Sequence, residues 1–165
     1  MNEIQDMPDA EPKYKNIGGW LILVGIGLVI TPFIRALIIY NDLLPAFSND
    51  IWSVLTTPGM AAYHPLWAPL LIFELLGNVL FGLATIILLV YFIRKMRSFP
   101  QLYIIFLLAQ MGFILVDFVL ANQIPFVRQS GVGISARQIF EAFIWPLVWI
   151  RYFLVAERVK GTFVN

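Results

Sequence analysis

The sequence contains no cysteine and a single histidine, His64. Disulfides, thiolate metal sites and cysteine nucleophiles are excluded, and with them a histidine metal cluster. One loop histidine beside Pro65, with the acids elsewhere in apolar runs, suggests no Ser–His–Asp arrangement. Enzyme activity, a cofactor and a bound metal are therefore not expected. Charge is also scarce: 13% of the 165 residues are charged and the net charge is +1. That balance offers nothing to a nucleic acid and too little polar surface for a soluble domain. Gly131 and Gly133 lack the strand and helix context of a nucleotide fingerprint. The alternating segments of about 10 residues that mark a membrane barrel are missing as well.

What the chain does have is apolar sequence, 60% of the total, gathered into runs at about 18–39, 66–93, 102–121 and 135–154. A bilayer core needs roughly 20 residues of helix, and inside it the backbone must satisfy its own hydrogen bonds. The expected fold is all-α, a polytopic membrane protein with four transmembrane helices in one bundle. A polar tail (1–17) precedes the helical domain (18–154), and a second tail (155–165) follows it. Pro32 and Pro146 predict kinks in the first and fourth helices.

Lysine and arginine set the orientation. Lys13, Lys15, Arg94, Lys95, Arg97, Arg151, Arg158 and Lys160 would lie on one side, against Arg35, Arg128 and Arg137 on the other. Eight against three places both termini and the loop 94–101 in the cytoplasm. Of the outer loops, 40–65 is long enough for an element of its own. Ser48-Asn49-Asp50 can cap a helix from Ile51 that ends at Pro58-Gly59; the alternative is an irregular loop pinned by Trp52. The second loop, 122–134, leads through Gly131 and Gly133 to Ser135, a candidate cap for the fourth helix.

The ionisable residues inside the runs carry most information, because a charge at a helix centre costs roughly 2.5 to 3.5 kcal/mol in a membrane. At a rise of 1.5 Å per residue, Arg35 lies about 25 Å along an outward helix and Glu74 about 12 Å down an inward one. Asp117 lies about 22 Å along the third helix and Glu141 about 9 Å down the fourth, with Arg137 nearer the surface. Asn78 is one turn below Glu74. Arg35, Glu74, Asn78, Asp117, Arg137 and Glu141 are thus expected to form one polar cluster in the outer half of the bilayer. It would be either an ion-pair network that fixes helix register or a cavity for a proton, a cation or a small polar ligand. Ile72-Phe73-Glu74 and Ile139-Phe140-Glu141 are identical and hint at a repeat of two helical hairpins. In the C-terminal tail, Arg151, Arg158, Lys160 and Phe163 would anchor an interfacial helix on the inner leaflet or dock a cytoplasmic partner.

Gly18-Gly19-Trp20-Leu21, Phe99-Pro100, Trp149-Ile150-Arg151-Tyr152-Phe153-Leu154 and Arg158-Val159-Lys160-Gly161-Thr162-Phe163-Val164 form a recognisable set. In these segments the chain resembles a bacterial inner-membrane family catalogued as domain of unknown function 2569, from about Tyr14 onward. It departs at Arg151 and Ala156, where members often carry proline and serine. The resemblance implies a four-helix inner-membrane protein and brings no activity, substrate or catalytic residue. The expected function is that of an accessory or ligand-binding membrane protein. The alternative is a small oligomeric transporter or channel subunit moving protons or cations on Glu74, Asp117 and Glu141. Expected partners are the lipid bilayer and either a second copy or another membrane protein.

Overall fold

The computed structural model describes residues 16–130 and 136–164. The greater part of the N-terminal tail, the segment 131–135 with its glycines and the Ser135 cap, and Asn165 lie outside the described residues. Among the described residues the structure is helical, with no strand.

Helix α1 (Trp20–Ile38) runs on through a π-turn (Ile39–Leu43) into α2 (Leu44–Ala46), making one apolar stretch of 27 residues. The first helical stretch therefore passes the Ile39 end expected from the sequence. Pro45 cannot donate a backbone hydrogen bond back to Asn41, and the helix widens just before it. Pro32 lies within α1 and Pro146 within α7, and the helix assignment is continuous at both.

A short helix α3 (Asn49–Thr56) occupies the first long connection, preceded by Ser48 in an extended conformation. The Ser48 side chain makes no capping bond; Phe47 instead stacks on Trp52 at 5.2 Å and fixes the entry. Helix α4 (Trp67–Ile93) ends in a Schellman turn. Lys95, at φ 52, sits where glycine is usual, and the amides of Lys95 and Met96 donate to Phe92 and Tyr91. Pro100 then opens α5 (Phe99–Ala121), at a position where its missing N–H costs nothing. The Asn122 side chain closes α5 by donating to the Phe118 carbonyl at 2.8 Å. A six-residue helix α6 (Pro125–Ser130) follows in a stretch expected to be loop. Helix α7 (Ala136–Val155) and the short α8 (Glu157–Thr162) complete the chain.

Among the described residues four helical stretches have the length and apolarity of membrane spans: Trp20–Ala46, Trp67–Ile93, Phe99–Ala121 and Arg137–Val155. α1 packs on α4, α4 on α5 and α5 on α7. At the end holding Trp20, Ile93, Phe99 and Val155, called proximal here, a core forms from Leu21, Val24, Leu28, Phe92, Phe99 and Phe153. Phe99 is fully buried and meets Phe92, Tyr103, Phe153 and Phe163 with ring centroids 4.7 to 5.9 Å apart. Offset and edge contacts of this kind add about 0.5 to 1.5 kcal/mol each beyond area burial. The distal end has a smaller core of Leu70, Ala121, Ile124 and Val127, with Trp67 set edge-on to Phe126 at 6.3 Å.

Candidate functional site

Polar side chains inside the spans meet where α1, α4 and α5 come together. Arg35 on α1 donates from Nη1 to Oδ1 of Asn78 on α4 at 2.9 Å. Asn78, 6% exposed, donates from Nδ2 to the Glu74 carbonyl at 2.9 Å. The carboxamide is thus an adaptor: its oxygen receives the arginine and its nitrogen ties the arrangement to the backbone one turn earlier. α1 lies close to α4 at Gly82, where an added Cβ would make an ordinary 3.8 Å contact with the Arg35 Cβ. The guanidinium carbon also lies 5.8 Å from the centre of the Phe81 ring, within the range of a cation–π contact.

Across the α4–α5 seam, the Glu74 and Asp117 carboxyls face each other within hydrogen-bonding reach. Asp117 Oδ1 is buried and has no hydrogen-bond partner. Among the described residues neither acid forms an ion pair, and Arg35 is committed to Asn78 instead. Two ionised carboxylates in contact repel, and an ionised carboxylate has no donor to offer. The pair therefore requires a positive species between its oxygens: a proton, a metal cation or an ammonium group. Among the described residues no third acid or histidine joins it to make a metal-binding group.

A phenylalanine layer supports the pair. Phe113 stacks on Phe73 at 4.7 Å, tilts against Phe81 at 5.3 Å, and covers Gly77 so closely that a Cβ there would overlap its ring. Toward the proximal end, Thr85 (1% exposed) turns its hydroxyl onto the Phe81 carbonyl at 2.7 Å. Leu88, Phe92 and the Phe99 cluster fill the space beyond.

The structure brings Arg35, Glu74, Asn78 and Asp117 together and leaves two expected members apart. Arg137 and Glu141 pair with each other on α7, Nε to Oε1 at 2.8 Å, with side chains 86% and 49% exposed. They do so because α7 rests on α5 through its opposite side, where Phe153 packs on Phe99 and Tyr103. Glu141 is consequently no counterpart of Glu74, despite the matching tripeptides. The C-terminal tail also differs from expectation. Phe163 (3% exposed) stacks on Phe99 at 4.7 Å, and Val159 is buried beside it. Arg158 lies over the first residues before α1, where a Cβ on Gly18 would come within 2.6 Å of its Nη1. Arg151 and Lys160 are exposed.

Phe81 and Phe113 escaped the sequence analysis. Counting helix faces would have found them, since Phe81 is three residues after Asn78 and Phe113 four before Asp117.

No curated protein and no solved structure matches the chain. A family model described as "Protein of unknown function (DUF2569)" matches residues 14–164. With that match spanning nearly its whole length, the chain belongs to the DUF2569 family.

Proposed function

We propose that the protein is a multi-pass inner-membrane protein that binds a cation, a proton or a small positively charged group, between Glu74 and Asp117. The observation that carries the proposal is the contact between two carboxyls from different spanning helices, with Asp117 Oδ1 buried and unpartnered. Among the described residues Arg35 forms no ion pair with either acid and donates to Asn78. Binding is favoured over conduction through one copy because buried side chains fill the protein from Thr85 to Phe163. The excess of lysine and arginine around 94–97 and 151–160 supports an orientation with both termini in the cytoplasm.

Dicyclohexylcarbodiimide, which modifies protonated carboxyls in apolar surroundings, tests the site in protein reconstituted into nanodiscs. Peptide mapping is expected to find the adduct on Glu74 or Asp117 and to lose it in Glu74→Gln. Slower labelling in sodium or lithium than in a bulky organic cation would identify a metal cation as occupant, and equal rates a proton. Absence of labelling at both acids, with thermal stability indifferent to every cation tried, would leave the pair a purely structural contact. Proton or cation flux through vesicles, abolished by Glu74→Gln, would replace binding by translocation.

A further inference from the structure

The exposed faces of the long helices differ in one respect. On α1 and α4 no exposed side chain is charged, and on α5 the only exposed polar side chain is Gln101 in its first turn. These are surfaces suited to lipid. Among the described residues α7 alone presents an ion pair, Arg137 with Glu141, on a spanning helix and away from its neighbour α5. Glu141 lies about 7.5 Å from the start of α7 at Ala136 by its rise, at a depth where a charge left against acyl chains is costly.

The pair belongs to a longer pattern. Arg137, Glu141, Ile144, Val148, Arg151 and Val155 follow one another at alternating steps of four and three, and all are exposed. That spacing is the seam of a left-handed helix pair, with side chains stacked along one stripe. The stripe runs the length of α7, opposite the side that rests on α5.

We propose that this stripe is a homodimer interface, in which α7 of two copies of the chain pack in parallel across a two-fold axis along the membrane normal. The charges favour a second copy. Arg137 and Glu141 are one turn apart, so a two-fold axis along the two helices sets each arginine level with the other copy's arginine and one turn from its glutamate, a diagonal that two long side chains can span. The contact is self-complementary, as an isologous interface must be. It converts two exposed intrahelical pairs into a closed ring of four charges screened from lipid. Ile144, Val148 and Val155 supply the apolar knobs below, and Arg151 lies toward the proximal end where headgroups can reach it. This inference is independent of the Glu74–Asp117 site.

The chain has no cysteine, so single introduced cysteines report contacts without background. Ile144→Cys and Val148→Cys, oxidised in native membranes, are expected to yield disulfide-linked dimers about tenfold more readily than Leu80→Cys or Leu115→Cys, because a disulfide requires close Cα approach. In the Val148→Cys background, Arg137→Glu alone and Glu141→Arg alone should each lower the dimer yield about tenfold by opposing like charges. Co-expression of those two charge variants should restore it as a heterodimer, since one copy then carries two acids and the other two arginines. Equal linking at all four cysteine positions would overturn the interface. So would charge variants that link like the parent, the result of a pair that merely reaches the headgroups.

Discussion

The proximal and distal halves of this protein solve opposite problems. The proximal half is held by aromatic rings: Phe92, Phe99, Tyr103, Phe153 and Phe163 pack around one another, and the C-terminal tail is built into the same core. The distal half holds charge, with Arg35 tied to Asn78 and Glu74 facing Asp117. In a membrane the hydrophobic effect does little to bring helices together, so close packing and interhelical hydrogen bonds carry association. One end of the molecule uses the first and the other leans on the second. A core of rings gives rigidity without reactivity, whereas polar groups in a region of low dielectric interact strongly with whatever completes them.

The largest effect expected from breaking this contrast is at Phe99. Phe99→Ala removes the ring at the centre of the proximal cluster, and unfolding in mixed detergent should show a loss of about 3 kcal/mol. Gly77→Val attacks the seam between the halves, where Phe113 leaves no room for a side chain; the same measurement should show about 2 kcal/mol of destabilisation from overpacking. Asn78→Leu removes the adaptor and strands the Arg35 guanidinium, at a cost of about 1 to 2 kcal/mol. A double-mutant cycle with Arg35→Met should return a coupling of about 0.6 to 1.7 kcal/mol, the range of interhelical polar contacts in membranes. Smallest is Arg137→Gln, which breaks an exposed i, i+4 pair in the less favourable order and should change monomer stability by no more than about 0.5 kcal/mol. A loss at Arg137 comparable to that at Asn78, measured on monomer in detergent, would erase the distinction drawn between the two polar groups.

Much of the architecture was legible because a bilayer constrains sequence so heavily. Runs near Leu66 and Leu102 needed no knowledge of neighbours to be taken as helices, since length and apolarity suffice. Helix α6 was missed because the six residues from Pro125 to Ser130 are too few to show periodicity. The family segments at Gly18-Gly19, Phe99-Pro100 and Arg158–Val164 were visible as separate strings; folding brings them into one place. Arg158 covers the two glycines, Phe163 stacks on Phe99, and Trp20 meets Trp149 edge-on at 6.4 Å. For the tail, a basic and aromatic composition fits a membrane surface and an internal dock equally well. The side that Phe163 faces separates them, and composition does not encode it.

By itself the sequence determined that there is no cysteine chemistry, that four stretches are apolar enough to cross a membrane, and that particular charges fall within them. Depth along a helix follows from the rise per residue, so the sequence could rank Arg35, Glu74, Asp117 and Glu141 along the helix axes. Only the tertiary structure decided which of them meet. Rotation of each helix about its own axis depends on the partner it packs against, and that rotation turns Glu74 and Asp117 toward each other while α7 carries Glu141 away.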